Sequence, residues 1–174
     1  MNKIILTIVF LVAAFTMAPA QKSAAAAERK VEFQSYAKAN YFERNDSNLK
    51  GNASYLIFTN LEKFEQIFGY ATSMGNNHFL PDNVYDSKLV VAMIKRGNSI
   101  YIYDLKKVTV KKKELYVWYN VAPDKSSTTA ATPGDDSHSW NSGCFLTVDK
   151  NNYTKVIFME NGKRVGTATI PKDK

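Results

Sequence analysis

A single cysteine, Cys144, and only two histidines, His78 and His138, stand in the 174 residues. One cysteine cannot close an internal disulfide, so the chain is not a disulfide-stapled mini-domain and must be held by a packed core. Structural zinc usually takes four Cys or His ligands, and the sequence does not bring four together, so no metal and no other cofactor is expected. The uncharged apolar run at 4–17 covers 14 residues, short of the roughly 20 that a helix needs to cross a bilayer. No glycine-rich phosphate loop, Gly-x-Ser-x-Gly elbow or His-Glu-x-x-His occurs, and there is no internal repeat. Acidic residues are also the minority, 16 against 23 basic ones.

What is present begins with an export pattern. Lys3 precedes the apolar run, and Ala18-Pro19-Ala20 precedes a polar stretch, the order of a cleavable signal peptide over 1–20. No cysteine follows the cut, so the mature protein is expected to be soluble, exported to the periplasm or beyond, and free of lipid. Cleavage would remove Lys3 and no acid, leaving a net charge of +6. About 150 residues would remain, enough for one domain with its own core. The basic residues are dispersed, and Lys111-Lys112-Lys113 falls at an expected turn, where charge keeps sheet edges soluble; nucleic acid is not an expected partner.

Residues 21–30 read as a flexible lead-in, and 31–174 as a single β-rich domain. Val31, Phe33, Tyr36, Tyr41 and Phe42 suit a strand with an irregularity. Tyr55 to Phe58 form a short strand leading into one helix over about 60–68. There Thr59 and Glu62 have capping-box spacing, Leu61, Phe64, Ile67 and Phe68 share a face, and Gly69 suits the stop. Residues 70–83 read as a loop. The run at 89–94, LVVAMI, is what a strand covered on both faces looks like. Alternation at Ile100/Ile102, Val108/Val110 and Leu115/Val117/Tyr119/Val121 continues the β pattern. The polar stretch 122–143 is unusually long for a connection in a compact domain. Asn161-Gly162 is the strongest hairpin signal. These elements predict a mostly β, α+β fold: an antiparallel β-sandwich or curved sheet of about seven strands with one short helix.

The order of a short Leu-Glu-Lys-Phe helix, LVVAMI, a tyrosine-bearing hairpin, a variable loop and CFLTVDKNNYTKVIFMENG resembles the C-terminal domain of protease-complex subunits of the PrcB type, over roughly residues 55–167. Where such domains carry a Pro-Thr-Gly-Gly-Tyr-like turn, this chain has Arg96-Gly97-Asn98-Ser99 before Tyr101. The resemblance implies an accessory domain that binds a protein or regulates a protease. It carries over no site residues.

Two constellations compete for function. Cys144, His138, Asp135 and Asp136 lie within ten residues of one another, which raises a secreted hydrolase with a thiol nucleophile. Cys144 opens a strand beside Phe145, however, as a buried structural cysteine would. The second constellation is aromatic: Tyr101 and Tyr103 on one strand, Tyr116 and Trp118 on the next, and Trp140 from the long loop. Buried on both sides, these residues are core. Exposed, they form a strip suited to a protein or peptide partner, or to a sugar in a carbohydrate-binding module. The reading favoured is a secreted accessory module that recognises another exported protein and has no catalytic residues.

Overall fold

The computed structural model of the protein describes residues 27–37, 39–70, 79–125 and 140–171, the side chain of Trp140 excepted. The signal peptide expected at 1–20, residues 21–26 of the expected lead-in, and most of both long connections therefore lie outside the described residues.

Among the described residues, eleven strands and two short helices form three layers. The front layer is a sheet of β1 (Arg29–Val31), β7 (Tyr101–Lys111), β8 (Glu114–Pro123), β10 (Lys155–Glu160) and β11 (Lys163–Thr169), in the order β1-β7-β8-β10-β11. Behind it lies the sheet β2-β9-β6-β4, made of β2 (Gln34–Tyr36), β4 (Ala53–Phe58), β6 (Lys88–Gly97) and β9 (Trp140–Asp149). The back layer holds α1 (Leu61–Glu65), α2 (Val84–Ser87) and a ribbon of β3 (Tyr41–Glu43) with β5 (Phe68–Tyr70). The mostly β sandwich expected from the sequence is thus observed, with more strands and one more helix. The front sheet is not wholly antiparallel: β10 runs parallel to β8, pairing Val156 with Leu115 and Phe158 with Val117.

The irregularity anticipated somewhere between Val31 and Phe42 includes a change of sheet. β1 pairs with β7 in front and β2 with β9 behind, with only Glu32 and Phe33 between them. β1 also takes in Arg29 and Lys30, assigned above to the lead-in. At the far edge β11 approaches β4, and a Cβ at Gly166 would overlap the Tyr55 ring, so only glycine lets the sheets come this close.

β6 explains the continuous apolar run. Leu89, Val91 and Met93 point into the core between the sheets, while Val90, Ala92 and Ile94 point into a second core under the helices. Aromatic rings fill that second core: Phe64 lies 4.9 Å from Tyr41 and 4.9 Å from Phe68, and Phe145 lies 4.9 Å from Phe68. Burying each such side chain contributes roughly 1.5–3 kcal/mol.

The helix is shorter than expected. Asn60 is the N-cap, its Oδ1 accepting the Lys63 N–H at 3.0 Å, whereas Thr59 is buried directly after β4 and makes no capping box. The chain leaves the helix at Gln66, and Phe68 and Gly69 continue as β5, pairing with β3. Phe68 still reaches the same core, because the turn at Ile67 folds it back over Phe64. In the hairpin between β10 and β11, Asn161 (φ 49°) and Gly162 (φ 81°) both have positive φ, as a type I′ turn requires.

Candidate functional site

The aromatic residues singled out in the sequence do not form one strip. β7 and β8 pair regularly up to Leu105↔Tyr119, then resume at Lys107↔Trp118, leaving Lys106 as a bulge. One extra residue reverses the alternation. Tyr101 and Tyr103 therefore share the inner face with Val108 and Val110 and pack against the inter-sheet core, although odd-numbered residues precede the bulge and even-numbered ones follow it. Ile102, expected on the face of Val108, is instead 55% exposed. Tyr116 and Trp118 lie on the outer face of the front sheet. The backbone of Trp140 pairs with Gly97 at the end of β9, and its side chain lies outside the described residues.

At that end of the sandwich, polar groups from both sheets converge. Lys95 Nζ donates to Glu160 Oε1 at 2.5 Å and sits 5.2 Å from the centre of the Tyr101 ring. Tyr119 Oη donates to Glu160 Oε2 at 3.3 Å, Tyr103 Oη to the Ser142 carbonyl at 3.1 Å, and the Tyr101 N–H to Ser142 Oγ at 2.8 Å. Burial holds the hydroxyls of Tyr103 and Tyr119 protonated well above the ordinary phenol range. This network joins β6 and β9 of one sheet to β7, β8 and β10 of the other, and its groups bond to one another. The Lys95–Glu160 pair spans 65 positions in sequence, which leaves no local signal to find it by.

Cys144 is fully buried between the sheets, and burial pushes its thiol up to about 12. A nucleophile works as thiolate, so a thiol held neutral by an apolar surround is built for packing. His138, Asp135 and Asp136 lie outside the described residues, as does His78. Among the described residues no three His, Cys, Asp or Glu side chains cluster as metal ligands.

Arg96, in the stretch that departs from the PrcB-type turn, reaches back across the molecule. Its Nε and Nη2 donate to the two Glu43 carboxylate oxygens, each at 2.8 Å, and Nη1 donates to Ser54 Oγ and the Gly51 carbonyl, each at 3.0 Å. The side chains of the pair are 13% and 7% exposed, so this fork anchors the back ribbon to β6. A mostly apolar recess of about 590 Å³ lies at the sandwich end away from Trp140, between Leu89, Tyr153, Ile170 and Pro171.

The outer face of the front sheet is different in kind, because no described helix or strand packs over it. The β-ladder register lays side chains across it in rows. Thr109, Tyr116, Ile157 and Thr167 form one, and Lys107, Trp118, Met159 and Arg164 form the next. Ile157 is only 3% exposed yet belongs to neither core, because neighbours on this face cover it. Trp118 is fixed from two sides: its Nε1–H donates to Thr109 Oγ1 at 3.2 Å, and Lys107 Nζ lies 4.9 Å from the ring centre. Tyr116 Oη donates to Glu114 Oε2 at 2.9 Å, and Glu114 also pairs with Lys155 at 2.8 Å. The contact of Glu114 with Lys155 and Tyr116 holds its carboxyl below the usual range.

Compared with protein-family models, curated proteins and solved structures, the chain matches none.

Proposed function

We propose that the chain is an exported accessory module that recognises another protein, and that it does so through the outer face of the front sheet. The observation that carries this reading is the pair of ladder rows that set Tyr116, Trp118, Ile157 and Met159 side by side on a sheet face over which no described element packs. A sheet with one solvated face ordinarily alternates apolar inward with polar outward. Two partly exposed aromatics and a methionine together on the outer side are more than that requires, and they are residue types that anchor interfaces. The neutral, buried thiol of Cys144 argues against the hydrolase reading. Among the described residues no helix is long and apolar enough to cross a membrane. A partner within a protease complex would accord with the PrcB-type resemblance.

The test is photo-crosslinking in the producing cell. p-Benzoylphenylalanine is placed at Thr167, exposed on this face, and at Glu62, exposed on α1 in the back layer. A discrete protein adduct from position 167 and none from 62 is expected. Adducts absent from 167, or identical from both positions, would overturn the proposal.

A further inference from the structure

The chemistry of the outer face narrows what its partner must bring. Its acids are already matched: Glu114 by Lys155 and Tyr116, and Asp104 by Lys106 on the bulge. Three of its cations are less well matched. Lys30, opposite Thr109 at the β1 edge, has no ion pair among the described residues. Lys107 has only Glu28 at 4.0 Å, both side chains about half exposed, and Arg164 on β11 donates to the neutral Thr167 Oγ1 at 2.7 Å. The face thus presents an apolar centre with uncompensated positive charge on both flanks.

The polar tips of the two aromatics are committed as well. The indole N–H is given to Thr109, the phenol O–H to Glu114, and Lys107 lies over the indole ring. A sugar or a nucleobase would need a free ring to stack on and free donors to read its edges. This face offers instead hydrocarbon, a flexible thioether and cations. Resting on the reading that this face binds a protein, we infer that the segment it receives is an acidic peptide carrying apolar side chains. Its carboxylates meet Lys30, Lys107 and Arg164, and its apolar groups lie on Tyr116, Trp118 and Met159. Charge complementarity of this kind fixes orientation and speeds encounter, while the apolar centre supplies affinity.

A display library of random twelve-residue peptides, selected on the purified protein, tests this directly. Expected are sequences enriched in Asp and Glu together with aromatic or aliphatic residues. Their binding should weaken about tenfold or more in Trp118→Ala and by roughly threefold to tenfold in the doubly exposed variant Lys30→Glu/Arg164→Glu. It should also weaken as salt is raised, since these charges face water. Circular dichroism and urea midpoints confirm that each variant is folded. Neutral or basic selected peptides, or acidic ones that bind the variants unchanged, would overturn the inference. So would Trp118-dependent binding of heparin, single-stranded RNA or phosphatidylglycerol vesicles in place of peptides, each assigning the face to that other class. If Thr167 crosslinks to a protein but the selected peptides are not acidic, only the partner's chemistry is wrong. If Thr167 yields no adduct, the underlying reading falls too.

Discussion

The two sheets of the sandwich solve the same problem differently. In the rear sheet both faces are buried, so β6 reads as one unbroken apolar run and Val90, Val91 and Ala92 are each 0% exposed. In the front sheet only the inner face is buried, and β8 alternates between Leu115, Val117, Tyr119 and Val121 inward and Tyr116, Trp118 and Asn120 outward. Burial accounts for the apolar run of β6 in the rear sheet. It does not account for Tyr116, Trp118 and Met159, which stay partly exposed on the outer side of the front one. That remainder is what points to recognition, and substitutions on the two sides of one strand should separate the two kinds of apolar residue.

The sharpest contrast is on β10, where Phe158 faces the core and Met159 the outer side. Phe158→Ala should cost about 3–5 kcal/mol and Met159→Ala less than about 1 kcal/mol, measured by urea denaturation. Equal losses would erase the distinction between the faces. Breaking the Arg96–Glu43 fork by Glu43→Ala should cost about 3–5 kcal/mol, because it leaves a mostly buried guanidinium without its carboxylate.

The inner face also predicts a pH dependence. Cys144 ordinarily would titrate near 9.0 but stays neutral to about 12 in the fold. Between those values the unfolded chain releases a proton that the folded chain keeps. The thiol's contribution is therefore intact below about pH 9 and lost as the pH rises toward 12. Buried tyrosines act in the same direction, so the informative quantity is the difference between the native protein and Cys144→Ala. The alanine variant should lose less stability over this range, by up to about 4 kcal/mol. Parallel stability-pH curves for the two proteins would contradict the buried, neutral thiol.

A smaller effect is expected at the hairpin. The Asn161 side chain continues the ladder where the strand has turned away, accepting the Val121 N–H at 3.1 Å and donating to the Val121 carbonyl at 3.2 Å. Asn161→Gly keeps the positive φ but removes both bonds, and should cost about 1–2 kcal/mol by urea denaturation. No measurable change would mean that water replaces the amide without loss.

Local chemistry carried much of this architecture. LVVAMI announces two-sided burial, Asn161-Gly162 a type I′ turn, and Leu115, Val117 and Tyr119 an inner face, because each pattern is set by residues within a few positions. What was illegible depends on distant or very short features. The parallel pairing of β10 with β8, the Arg96–Glu43 fork and the Lys95–Glu160 bridge join residues far apart in sequence. α2 is a single turn, too short to show a helical period. Lys106 carries no mark of a bulge, yet it sends Tyr101 and Tyr103 inward. Of the aromatic residues first singled out, Tyr116 and Trp118 thus remain on the open face.

The claim that this face is built for a partner rests most directly on the yield of the Thr167 photo-adduct in a Trp118→Ala background. If the indole anchors the contact, the adduct should fall by about tenfold or more while the urea midpoint moves only slightly. An undiminished adduct, or a loss of adduct matched by a loss of fold, would return Trp118 to the structural role of holding Thr109 through its indole N–H.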